Sequence, residues 1–190
     1  MFFFLCGTHC AGKTSILQKL EAEGVLSFRG TEIGKDLYYE RRFDPEGQGR
    51  AFEYEVMRRE LARDEELLET SGIIGIETWH PGNLAYAAIR NPPIVPALAR
   101  EIARSPWIGS ARGIWIRGIR SESIQARTRT FSGNPEWAAR FYTAIEAQIE
   151  PALRRLGLWE RTILLDGEAP LPLLIDQVRH VILDAEDRRG

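Results

Sequence analysis

Gly7-Thr8-His9-Cys10-Ala11-Gly12-Lys13-Thr14 matches the pattern G-x-x-x-x-G-K-[ST]. With 17 Gly, three Lys and 17 Ser plus Thr in 190 residues, composition alone yields about 0.002 such matches per chain. The flanks narrow the reading. FFFLC, residues 2 to 6, is a short apolar run of strand length, and Ile16, Leu17 and Leu20 recur at helical spacing after the loop. A strand, a glycine loop and a helix together aim successive backbone N–H groups at a phosphate, and the helix N-terminus adds partial positive charge. In such a P-loop Gly7, Thr8, His9, Cys10, Ala11, Gly12, Lys13, Thr14 and Ser15 wrap the phosphates of ATP. Lys13 reaches the β- and γ-phosphates, and the Thr14 hydroxyl ligates Mg²⁺.

The rest of the chain reads as an α/β fold. VLSF (25–28), SGIIGIE (71–77), GIWI (113–116) and TILLD (162–166) are further strand-like runs. Helical pattern runs from Lys13 to about Glu23. Residues 29–49 read as loop with one helical turn. Phe52, Val56, Met57, Leu61 and Leu68 suggest an amphipathic helix from Arg50 to about Thr70. Pro81-Gly82 and Pro92-Pro93 punctuate the next stretch, and a helix covers about 95–104. Ser121 to Phe131 reads as helical. Asn134-Pro135-Glu136 is a helix start, with a cap, a proline at the first helical position and an acid in the first turn. Trp137, Phe141, Ile145 and Ile149 stripe that helix as core, and Pro151 is expected to kink or break it. A last helix carries Leu171, Leu174, Ile175, Val178 and Ile182. Five apolar strands alternating with helices imply one domain, residues 1–190. Its parallel sheet, in order 2-3-1-4-5, is covered on both faces, with FFFLC central.

Composition excludes several classes. The net charge of −2 argues against a nucleic-acid polymer or an anionic membrane as partner. No segment approaches the ~20 apolar residues of a membrane span, and MFFFLC lacks the form of a signal peptide. Cys6 and Cys10 are the only cysteines, which suits a cytoplasmic setting without a structural disulfide and makes a poor zinc site. Arginine supplies 22 of the 25 basic residues, forked groups suited to phosphates.

On these motifs the chain resembles the nucleoside and nucleotide kinase branch of P-loop proteins, and is most similar to thymidylate kinases. The resemblance implies a three-layer fold with a helical lid at about 118–134, ATP and Mg²⁺ as cofactors and a small-molecule phosphoryl acceptor. It places an acceptor-contacting loop at Phe28-Arg29-Gly30-Thr31-Glu32-Ile33-Gly34. It puts an acid at the end of the third strand, Glu77, before a segment closing in Leu84-Ala85-Tyr86. It starts the lid at Glu122 and Arg127, and sets Asp166-Gly167-Glu168-Ala169 beside the adenine. The chain departs from the family at three points. Thr78 stands where an arginine usually helps grip the acceptor phosphate, Cys10 stands where a glycine is usual, and no acid precedes Gly7. The fold and ATP site therefore carry over; thymidylate as acceptor does not.

The candidate residues carry distinct chemistry. Glu77, at the carboxyl end of a central strand, contacts either a metal-bound water or the acceptor hydroxyl, or is a solvated strand end. Arg127 and Arg129 bring lid charge onto the transferring phosphoryl group or remain surface arginines, with Arg120 a weaker third. Arg29, Arg58 and Arg59 are candidates for an acceptor phosphate or sugar. Trp79 stacks on a base or belongs to the core. His80 and His180 read as structural. Two other readings stay open: a P-loop ATPase or switch, and a nucleotide-gated binding module without an acceptor. A homodimer is among the assemblies open to such a chain.

Overall fold

The computed structural model describes residues 1–40, 49–128 and 134–187. Five strands form one parallel sheet in the order β2-β3-β1-β4-β5: β1 Phe2–Gly7, β2 Phe28–Gly30, β3 Ile74–Glu77, β4 Arg112–Arg117 and β5 Thr162–Asp166. β1 lies between β3, where Phe2 pairs with Ile74 and Leu5 with Glu77, and β4, where Gly7 pairs with Ile116. Every residue of β1 is buried, as an unbroken apolar run covered on both faces requires.

Alternation along β1 splits the core in two. Phe2, Phe4 and Cys6 face α4 (Trp79–Arg90), α5 (Val95–Ile102) and α7 (Pro135–Arg155). Phe3 and Leu5 face α1 (Lys13–Ala22) and α8 (Leu171–Asp187), with Ile124 of α6 (Ser121–Thr128) at the margin. A satellite cluster of Leu37, Phe52 and Val56 joins α2 (Ile33–Tyr39) to α3 (Gly49–Glu66). The expected sheet order and the helices on both sides are present.

Several local expectations are corrected. The second strand begins at Phe28, because the preceding residues close α1: Gly24 takes φ 73°, and the Val25 N–H returns to the Leu20 carbonyl at 2.9 Å. The 29–49 stretch holds the seven-residue α2 rather than one turn. Pro81-Gly82 does not interrupt a helix but sits in the first turn of α4, where a missing N–H is harmless. Pro151 does not end α7, which runs on to Arg155; Pro151 and Ala147 both lie on its exposed side, where water can take the orphaned carbonyl. Asn134 caps that helix as expected, accepting from the Trp137 N–H at 3.0 Å. Trp137 itself is 49% exposed and stacks on Phe141, so the buried part of the stripe begins at Ile145. The amphipathic pattern of α3 also differs: Leu68 falls outside it and is exposed, while Glu53, Glu60 and Asp64 share the buried face with Phe52 and Val56. β5 is not covered on both faces, since Ile163 is 46% and Leu164 41% exposed. The lid expected at 118–134 is described only as far as residue 128 and at 134.

Among the described residues no helix is long and apolar enough to cross a membrane. Phe4 is fully buried on β1 with its ring centroid 5.1 Å from that of Trp79. Phe4→Ala is expected to cost about 3–5 kcal/mol of stability, read from chemical denaturation; a loss below about 1 kcal/mol contradicts its place in the core.

Candidate functional site

The loop after β1 is built by steric constraint. A Cβ on Gly7 would stand 2.5 Å from the Ile116 carbonyl oxygen of β4, so only glycine lets the strands meet there. Cys10 adopts φ 67°, in the left-handed region where glycine is at ease, and holds a conformation costing of order 1 kcal/mol. The Arg127 guanidinium of α6 donates to the Cys10 carbonyl at 3.0 Å, tying the start of the expected lid to the loop. Lys13 is 4% exposed, and its ammonium folds back onto the loop, donating to the carbonyls of Gly7 (3.1 Å) and Thr8 (3.0 Å).

Across the strand boundary, the Thr14 hydroxyl donates to both oxygens of Glu77, at 2.8 and 2.9 Å. These residues are 63 apart in sequence. Glu77 is 6% exposed, so it is not a solvated strand end. Beyond β5 the Gly167 N–H donates to the Arg117 carbonyl at 2.7 Å, and a Cβ at Gly167 would meet Ile119 at 2.5 Å. Glu168 then gathers the Arg120 N–H (2.9 Å), the Arg120 guanidinium (3.1 Å) and the Ser123 hydroxyl (2.9 Å), linking the β5 loop to α6.

No protein-family model and no curated protein sequence matches the chain. Solved structures do. A NadR protein in complex with NR matches with TM-score 0.69 and 14% identity over 95% of this chain and 49% of that one, so the chain spans about half of NadR. Deoxyadenosine kinase from M. mycoides, with dCMP and dCDP bound, matches at TM-score 0.66 and 10% identity, covering 97% of this chain and all of that one. The YorR protein of Bacillus subtilis, in complex with phosphorylated GDP, matches at 0.62 and 15%, covering 100% of this chain and 99% of that one. At these identities what is shared is architecture, and the strand order agrees with it. The chain has the P-loop kinase fold.

Within this fold the expected acceptor residues do not converge on Glu77. Arg29 points to the α1 side of β2 and pairs with Glu21 at 2.6 Å. Arg58 is exposed and paired with Glu55 at 2.8 Å, while Arg59 bridges Glu55 (2.9 Å) and Glu40 (3.3 Å). Trp79 does not line the cleft; it is fully buried and donates its indole N–H to Asp64 at 3.0 Å. His80, also buried, bonds the same carboxylate at 2.9 Å. Arg129 lies outside the described residues.

The buried acids of α3 escaped the sequence reading. Glu53 pairs with Arg90 at 2.6 Å, and Glu60 pairs with Arg63 and accepts from the Asn83 amide at 3.0 Å. A signal was present: positions 53, 60 and 64 recur at helical spacing beside Phe52 and Val56. Lys35 of α2 was also missed. It adds positive charge to that of Lys13 at both His9 and Cys10. Burial pushes the Cys10 thiol up despite those cations, and pushes Cys6, deep in β1, up to about 12.

His9 stacks on Tyr142 of α7 with centroids 5.1 Å apart. Burial, then the charges of Lys13 and Lys35, lowers its pKa to about 4. The unfolded chain binds a proton near the ordinary 6.5, so stability is expected to fall as pH drops from about 6.5 toward about 4. His9→Gln, neutral throughout, is expected to flatten the decline of Tm across that window. Equal pH slopes in the two proteins contradict an uncharged, half-buried ring.

Proposed function

We propose that the chain transfers the γ-phosphoryl group of ATP to a small-molecule acceptor, a nucleoside or nucleotide. The observation that carries this reading is the Thr14 hydroxyl held against both oxygens of Glu77 beside the P-loop lysine. The bound nucleotides named for the matching structures, dATP and AMP-PNP among them, support it.

The donor set fits Mg²⁺. A hydroxyl and a carboxylate are hard oxygen ligands, and 2.8–2.9 Å is close to the ~3 Å between neighbouring ligands of octahedral Mg²⁺. When bound, the ion neutralises charge on the β- and γ-phosphates. Lys13 turns from the Gly7 and Thr8 carbonyls to a phosphate oxygen, while loop N–H groups hold the remaining oxygens. Glu77 would either help hold the ion, directly or through water, or accept a hydrogen bond from the acceptor hydroxyl. Arg127, and Arg129 with it, add positive charge over the transferring group. Positioning and electrostatics then supply most of the rate, since phosphoryl transfer asks for little covalent help. An ATPase switch or a nucleotide-gated binding module would hydrolyse or hold ATP without an acceptor. A screen of nucleosides, nucleotides and sugars for ATP-dependent phosphorylation separates these readings.

Lys13→Ala is expected to weaken ATP binding or abolish turnover, since it removes the ammonium that the loop holds against the Gly7 and Thr8 carbonyls. Wild-type affinity and turnover in that variant remove the P-loop assignment. Glu77→Gln keeps size and loses charge. If Glu77 serves acceptor chemistry, transfer drops by about 10²-fold or more with ATP affinity within a few-fold; if it serves mainly Mg²⁺, both fall together. No change in either excludes a catalytic role for Glu77.

The acceptor site lacks the family arginine at Thr78, so thymidylate is expected to be a poor acceptor or none. Rapid phosphorylation of thymidylate by the purified protein overturns this and points to thymidylate kinase activity.

A further inference from the structure

β3 ends in a turn that threonine does not readily adopt. Thr78 has φ 68° and ψ −58°, and Trp79 follows at φ 49°. This is the positive-φ form of the γ-turn, rare and strained, and a β-branched residue there is an outlier. Such a backbone costs of order 1–3 kcal/mol and persists only where its surroundings over-determine it. The side chain of Thr78 does not hold it, for its buried hydroxyl finds no partner among the described residues.

The restraints come from both sides. Toward the sheet, the Thr78 N–H donates to the Leu5 carbonyl at 2.8 Å. Toward α4, the Gly82 N–H donates to the Thr78 carbonyl at 3.3 Å, and a Cβ at Gly82 would stand 2.5 Å from the Thr78 methyl. Away from the P-loop, the two residues after the turn are held by one side chain. Asp64 of α3, fully buried, accepts from Trp79 Nε1 at 3.0 Å, from His80 Nε2 at 2.9 Å and from the Ser105 hydroxyl. Its backbone carbonyl accepts from Trp107 Nε1 at 2.9 Å. Phe2 and Phe4 of β1 pack their rings against Trp79 at 4.8 and 5.1 Å. The turn therefore sits between a carboxylate aimed at the P-loop and a second carboxylate that grips the start of α4.

We infer that Asp64 is a positioning residue for Glu77: by holding Trp79 and His80 it imposes the turn at Thr78 that aims the Glu77 carboxylate at Thr14. This rests on the role given to Glu77 above. A carboxylate suits the task because it accepts from three donors at once. An asparagine in its place keeps one acceptor oxygen for the Trp79 indole, and its NH₂ forces Ser105 and His80 to reverse their hydrogen-bonding roles.

Asp64→Asn is the test, with two readouts. In its crystal structure Thr78 is expected to relax toward negative φ and the Thr14–Glu77 hydrogen bond to break. In kinetics, kcat for transfer is expected to fall about 10-fold or more while the KM for ATP stays within about threefold. In a Glu77→Gln background the same substitution is expected to add less than about twofold, because the carboxylate being aimed is gone. Trp79→Phe keeps the ring in the core and removes only the indole N–H. It is expected to shift both readouts the same way by less, and it serves if Asp64→Asn does not fold. An unchanged turn and Thr14–Glu77 contact in the variant structure overturns the inference. So does an Asp64→Asn loss as large with Glu77→Gln as without it. If Glu77→Gln leaves transfer untouched, the role of Glu77 fails, and the crystal structure alone then decides whether Asp64 sets the turn.

Discussion

Glu77 stands opposite Leu5 in the pairing of β3 with β1, and the Thr78 N–H closes that ladder on the Leu5 carbonyl. This register governs the upper edge of the sheet. Side chains on a strand alternate between faces with a period of two, so a slip of one residue would send the carboxylate away from Thr14. Register is strongly specified here because β1 and β3 are buried along their whole length. The apolar run FFFLC thus does more than fill the core. It sets where the phosphate loop begins, and through β3 it sets what the loop faces.

The two sides of the cleft differ in how they handle charge. Around the P-loop, the charges of Lys13 and Lys35 are felt at both His9 and Cys10, and that of Arg127 at Cys10. Lys13 and Arg127 donate to backbone carbonyls, partners that a phosphate can replace. On α3 and α4, arginines 58, 59, 63 and 90 are each tied to carboxylates. Glu53 and Glu60 are held in the protein interior, where burial pushes both pKa values up. A buried ion pair of this kind contributes little net stability, because desolvation offsets attraction. Breaking one partner is costly, however, so the Glu53–Arg90 pair, with the Asn83 amide on Glu60, locks α3 against α4 in one arrangement.

That lock connects the core to the site. Only Thr78 separates Glu77 from the start of α4, with no loop to absorb error. Its first residues are fixed by Asp64 beneath and by the aromatic rings of β1 beside them. The P-loop, by contrast, is joined to α6 through the Cys10 carbonyl, and α6 is joined to the loop after β5 through Glu168. Rigid anchoring on the β3 side therefore faces a chain of exchangeable polar contacts on the α6 side.

The sequence alone determined those features that depend on neighbours in the chain. The P-loop between strand and helix, the five strand-like runs, the cap at Asn134 and the sheet order all follow from spacing, period and connection rules. The placement of Glu77 was legible for the same reason: a carboxylate ending a wholly apolar strand emerges at the edge where the loop lies. What escaped it depends on partners from distant segments. Glu53, Glu60 and Asp64 look like the solvated face of a helix until Arg90, Arg63, Asn83, Trp79, His80 and Ser105 arrive from elsewhere to satisfy them. Arg29 and Arg58 look available for a ligand until Glu21 and Glu55 claim them. TILLD reads as buried, yet no helix covers it fully, because β5 closes the sheet at its edge. Local pattern states what a residue can bury or bind. Only tertiary structure decides whether a charge is paid for by a partner, since that partner can come from any part of the chain.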